Sequence, residues 1–193
     1  MLTVFGYASV LLSLSCVIPY IRDILRHKTQ PERASWFIWT VLGVIAFFSQ
    51  LAKGATDSLW LTVGETVAVS IVFFLSLKYG VGGLTKRDIK ALIGAAVGVV
   101  LWFITHEATW AIVFVIFVDS IGALLTLVKA YEDPKSETLS TWVISGTSGV
   151  FGTLAVGSLN PILLAYPLYI VVANYLTVVA QVLGRRKKNL PLL

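Results

Sequence analysis

Hydrophobic residues in this chain do not alternate or follow a single helical stripe; they come in long continuous runs interrupted by short polar or glycine-containing breaks. The runs lie at about residues 3 to 25, 36 to 53, 58 to 79, 88 to 105, 109 to 130, 141 to 158 and 161 to 184. A helix needs about 20 predominantly apolar residues to cross a bilayer, so this pattern predicts seven transmembrane helices. The breaks are the polar stretch from Arg26 to Arg33, Gly54 to Ser58, Gly80 to Arg87, His106 to Thr109, Glu132 to Thr138, and Asn160-Pro161. All are short, as closely packed helices require.

Composition strengthens this picture. Of 193 residues, 57% are hydrophobic and 13% charged, whereas soluble domains carry about one quarter charged residues. Seven spans of about 20 residues use roughly 140 residues, which leaves little for a catalytic or ligand-binding domain outside the membrane. No Lys or Arg precedes Arg22, so the first apolar run lacks the basic region of a secretory signal and is expected to form the first span. One cysteine, Cys16, permits no internal disulfide. Together with His27 and His106 it offers no metal-ligand spacing, so neither a metal nor a cofactor is expected.

The net charge of +5 does not point to nucleic acid, because the basic residues cluster between the apolar runs. With the N-terminus outside, the cytoplasmic loops, tail and flanking helix ends hold Arg22, Arg26, Lys28 and Arg33, then Lys78, Lys86, Arg87 and Lys90, then Lys129 and Lys135, and finally Arg185, Arg186, Lys187 and Lys188. Lys53 alone falls outside. This asymmetry predicts an N-out, C-in protein of a plasma or inner membrane. Trp60 and Trp110 fall near outer ends and Trp36 and Trp142 near inner ends, where interfacial aromatics are expected.

The chain also contains a repeat. Trp36, Ile38, Gly43 and Val44 recur at one constant offset as Trp142, Ile144, Gly149 and Val150, and each copy follows a polar loop with a proline, Pro31 or Pro134. The predicted fold is therefore all-α and integral to the membrane. Residues 1–80 form a first three-helix repeat, 81–107 a linker helix, 108–184 a second three-helix repeat, and 185–193 a basic cytoplasmic tail. Moving three helices along by four spans restores their orientation, so the repeats are parallel.

This 3+1+3 plan resembles the SWEET and PQ-loop transporter superfamily. Local sequence is similar as well: Pro19-Tyr20-Ile21, then Arg26-His27-Lys28-Thr29, then Ser35-Trp36, with Lys135 to Ser140 in the second copy. Tyr20 stands where the family motif has glutamine, Gly122 near where the second copy should have proline, and the SWEET-type proline tetrad is reduced to Pro19. The resemblance implies alternating access between the two repeats, with Pro19 and Gly149 as hinge candidates. It also implies that Asn174 contacts substrate, as an asparagine of the last helix does in SWEET-type proteins. Ser70 or Ile71 stands at the equivalent place in the first repeat.

Ionisable residues inside the apolar runs are functional candidates by default. Asp119 lies nine residues in from Trp110, about 13 Å deep at the helical rise, and Glu65 six residues in from Leu59, about 9 Å deep. Both are candidates for proton coupling, because a carboxyl removed from water can take up and release a proton. Asp119 is also a substrate-binding candidate. Trp39, Gln50, Ser145, Ser148 and Tyr169, with Ser120 and Tyr166, supply the aromatic and hydrogen-bonding groups that a sugar or another small polar solute needs.

The expected function is transport of a small solute. A sugar facilitator is slightly favoured, and the alternatives are proton-coupled transport of an amino acid or other metabolite and a non-transporting helper or receptor. A retinal protein needs a lysine in its last helix, and residues 161 to 184 contain none. No Ser/His/Asp arrangement, HExxH or paired-aspartate motif points to an enzyme. The expected partners are thus the solute, the lipid bilayer and, in the coupled variant, protons, with homo-oligomerisation left open.

Overall fold

The computed structural model describes residues 1–29, 31, 33–80, 107–135 and 137–190, with isolated helical positions between 89 and 104. Six helices are described: α1 (Leu2–Leu25), α2 (Arg33–Ala52), α3 (Leu59–Tyr79), α4 (Ala108–Glu132), α5 (Leu139–Ala155) and α6 (Pro161–Lys187). No strand occurs among the described residues. These helices correspond to the first three and last three apolar runs. The expected linker helix, apart from those isolated positions, lies outside the described residues, as do Lys86, Arg87, Lys90 and His106.

α1, α3 and α6 are long and apolar enough to cross a membrane, and α2 and α4 contain the shorter apolar stretches Trp36–Ala52 and Thr109–Ser120. Their outward faces are oily: Leu11, Ile18, Phe74 and Phe117 are each at least 63% exposed. Ser9, Ser13, Thr62, Ser148 and Gln181 are buried instead. Several interior hydroxyls are satisfied on their own helix, as in Ser9 to the Gly6 carbonyl (2.7 Å) and Thr177 to the Ala173 carbonyl (2.9 Å). Such back-bonding lets polar side chains sit in an apolar bundle without an open hydrogen bond.

Helix ends follow local chemistry. α5 stops at Ala155, short of the expected boundary near 158, because Gly157 takes a left-handed φ of 66°, which glycine adopts without steric penalty. Asn160 then caps α6 by accepting from the Ile162 and Leu163 amides, with Pro161 in the first turn where no N–H is needed. α6 runs past the expected end at 184 to Lys187.

Around the bundle the neighbours run α1, α3, α2, α4, α6, α5 and back to α1, with a lighter contact between α3 and α5. In each triplet the third helix sits between the first two. α4 starts as far along the chain from the start of α1 as α5 does from the start of α2, and this is the same offset that separates Trp36 from Trp142. Gly43 on α2 packs against Thr66 of α3, and its counterpart Gly149 on α5 packs against Ile170 and Val171 of α6.

One end of the bundle gathers the basic residues. There the Arg33 guanidinium donates to the Ser76 and Gly80 carbonyls (2.9 Å each), and Gln181 donates to the Pro134 and Glu137 carbonyls (2.7 Å each). Thr138 donates to Asp23 (2.8 Å), joining the two triplets. At the opposite end Lys53 meets Glu107 at 3.3 Å.

Candidate solute cavity

A cavity of about 120 Å³ opens between the described helices, displaced toward the basic end. α1 lines it with Cys16, Val17 and Tyr20, α2 with Trp36, Trp39, Leu42 and Gly43, and α5 with Thr141, Trp142 and Ser145. Among the described residues, nothing on α1 before Cys16, on α2 after Gly43 or on α5 after Ser145 reaches it. α3 adds Glu65, Thr66, Ala68 and Val69. α4 adds Val115, Asp119, Ala123 and Thr126, and α6 adds Tyr166, Tyr169, Ile170, Ala173, Asn174 and Thr177.

Two carboxylates meet this space from different triplets. Glu65 on α3 accepts from Ser145 (2.9 Å) and Ser148 (3.0 Å) of α5 through one oxygen. Asp119 on α4 accepts from the Tyr169 hydroxyl of α6 and from the indole of Trp39 on α2. Each carboxylate is therefore held in part by a donor on the other triplet. The donors Trp39 and Ser145 are themselves separated by the repeat offset. The two carboxylates are close enough to act on each other electrostatically, and among the described residues no Lys, Arg or His lines the cavity.

The structure brings most of the expected site residues together. Asp119, Glu65, Trp39, Ser145, Tyr169, Tyr166 and Asn174 all line the cavity, and the Asn174 amide also donates to the Ile170 carbonyl of its own helix (2.8 Å). Ser148 stands behind the wall on Glu65. Ser120 bonds back to Ile116 (2.6 Å) and also reaches Tyr169. Gln50 lies away from the cavity, toward the opposite end, where its amide donates to Thr62 (2.9 Å) and ties α2 to α3. α1 continues through Pro19, which has no N–H for the Ser15 carbonyl, and the next residue, Tyr20, is on the wall. Gly149 sits at a tight helix crossing, as described above.

Two tryptophans expected at the interface prove to be inward. Trp36 is only 8% exposed, stacks against Tyr20 (5.2 Å between ring centres) and Trp39 (5.0 Å), and faces the cavity, as does Trp142. Trp60 and Trp110 do lie on the outer surface. Sequence reasoning also passed over Thr66, Thr141 and the buried Pro167, which lies within the continuous α6 between Tyr166 and Tyr169. The repeat offset carried the missing signal: matched positions such as 36 and 142 belong on one surface, and that surface is the cavity wall. Thr66 Oγ1, Thr141 Oγ1 and Trp142 Nε1 are buried without a hydrogen-bond partner.

Among the described residues no group of three or more His, Cys, Asp or Glu could hold a metal ion. The arrangement offers hydrogen-bond acceptors, open donors and aromatic surface inside an apolar bundle, which suits binding of a small polar molecule. Comparison with family models, with curated proteins and with solved structures finds no match to the chain.

Proposed function

We propose that the chain is an integral membrane transporter of a small polar solute, built from seven transmembrane helices. In this reading α1–α3 and α4–α6 are parallel repeats joined by a helix through residues 88–105. The basic end faces the cytoplasm, and the two units rock to expose the cavity to either side in turn. The plan is similar to that of SWEET and PQ-loop proteins. The observation that carries it is the cavity itself: a mostly apolar space bearing Glu65 and Asp119, walled by both triplets and displaced toward the basic end, with close helix contacts at Gly64 and Gly152 on the other side.

Proton coupling is a second reading, favoured by one observation: Glu65 and Asp119 each accept hydrogen bonds from the opposite triplet. A proton that neutralised either carboxylate would weaken those bonds and loosen the seam between units. The test is uptake of labelled sugars, amino acids and amines into proteoliposomes, with and without an imposed pH gradient, for the wild type and Asp119→Asn. Saturable uptake of at least one solute is expected. No flux of any solute would favour a non-transporting helper or receptor. Flux indifferent to both the gradient and the substitution would eliminate coupling through Asp119.

A further inference from the structure

Two carboxylates share a small cavity whose wall, among the described residues, contains no basic side chain. Like charges held together away from bulk water are relieved either by taking up a proton or by a compensating positive charge. The carboxylates are already acceptors for Ser145, Ser148, Tyr169 and Trp39, and their remaining lone pairs are what a positively charged donor in the cavity would meet. A bare metal ion is a poor counter-charge here, because among the described residues no three His, Cys, Asp or Glu side chains come together to hold one, and Cys16 on the same wall has its thiol on the Ser13 carbonyl.

The space is on the order of four water volumes, room for a solute of a few heavy atoms. Its aromatic wall, with Trp36 and Trp39 packed edge-to-face, attracts cations through the ring quadrupoles. Toward the basic end two unsatisfied groups remain. Thr141 is only 6% exposed and its hydroxyl has no partner, and the neighbouring Trp142 indole N–H is likewise unpaired. An indole N–H only donates, so it calls for an acceptor on the solute, and an unmade buried hydrogen bond is costly enough to mark a place for one.

We propose that the cavity binds a small organic cation, with an ammonium group between Glu65 and Asp119 and a neutral hydrogen-bond acceptor directed at Thr141 and Trp142, as in a short amino alcohol. The inference rests on the transporter reading only for what the binding accomplishes; the binding itself is separable. A solute with an acceptor in place of its ammonium leaves the carboxylates uncompensated. One with no acceptor leaves the Trp142 donor unsatisfied.

The experiment is a tryptophan-fluorescence titration of the purified full chain with ethanolamine, ethylamine, ethylene glycol and glucose, paired with counterflow of labelled ethanolamine and glucose in proteoliposomes. Ethanolamine is expected to saturate the signal and to bind at least about tenfold more tightly than ethylene glycol. Glu65→Gln and Asp119→Asn should each weaken it by about tenfold or more. Trp142→Phe, which keeps the carboxylates and the fold of the wall, should weaken ethanolamine several-fold while leaving ethylamine unchanged. Equal binding of glycol and amine, or ethanolamine binding unmoved by all three substitutions, would overturn the proposal. Glucose counterflow without amine binding would also overturn it while sparing the transporter reading. Ethanolamine binding without counterflow would uphold it and remove that reading instead.

Discussion

The two ends of the bundle are built from the same helices by opposite means. Toward the basic end, bulky Tyr20, Trp36, Trp39 and Trp142 hold the helices apart and leave a cavity. Toward the other end, small residues let the helices close. Gly64 of α3 admits the Ser13 side chain of α1, Gly152 of α5 lies against Leu61 of α3, and Phe5 meets Phe151 with ring centres 6.1 Å apart. If the bundle sits in a bilayer, as proposed, burial of hydrocarbon gains little and such close packing is the main attraction between helices. The bundle thus varies its width through side-chain size while keeping its helix order.

That contrast can be broken most severely at its tightest point. Gly64→Leu places a side chain where Ser13 already sits, and overpacking of this kind typically costs about 1–3 kcal/mol. A large fall in the thermal midpoint of the purified protein is expected, and an unchanged midpoint would mean that the seal does not depend on this approach. At the cavity end, Asp119→Asn removes a carboxyl group held by Tyr169 and Trp39. A charged hydrogen bond contributes about 1.5–3 kcal/mol, so on the proposed transport function solute uptake should drop about tenfold or more with the helical circular dichroism spectrum retained.

Access sharpens the comparison further. Cys16, the only cysteine in the chain, lies on the cavity wall, with its thiol donating to the Ser13 carbonyl. A small maleimide applied to the basic end should label it slowly, and several-fold more slowly when a bound solute fills the cavity. A cysteine placed at Ser9 in a Cys16→Ser background should resist the same reagent. Equal labelling at both positions would contradict a cavity displaced to one end. The smallest effect is expected from Thr62→Val, which removes the partner of Gln50. Side-chain hydrogen bonds between membrane helices average about 0.6 kcal/mol, so a slight loss of thermal stability with unchanged uptake is predicted.

Helices were legible because continuous apolar runs with polar breaks leave few alternatives. α1 and α3 fall within a residue or so of the expected spans. The end of α5 was missed because Gly157 stops it through backbone conformation, which hydropathy does not register. Asp119 and Glu65 stood out as charges in oily sequence, and the structure puts both on one cavity. Gln50 looked equally eligible, but whether a polar group meets a cavity or a neighbouring helix depends on its rotation about the helix axis. Trp36 and Trp142 were misjudged for the same reason: depth along a helix can be read from residue numbers, whereas facing requires knowledge of the neighbours. The repeat offset supplies part of that knowledge, since equivalent positions tend to face equivalent surroundings.

The crossed attachment of the carboxylates has a thermodynamic corollary. Trp39 and Ser145 satisfy acids that belong to the opposite triplet, so a ligand drawing on those acids competes with the contacts that keep the triplets together. Linkage makes the competition reciprocal. A substitution far from the cavity that eases the triplets apart should raise affinity for the ligand, one that clamps them should lower it, and the ligand in turn should ease the triplets apart by the factor through which their separation raises its affinity. Measured across a set of distant variants, affinity would then serve as a gauge of how firmly the two halves are joined.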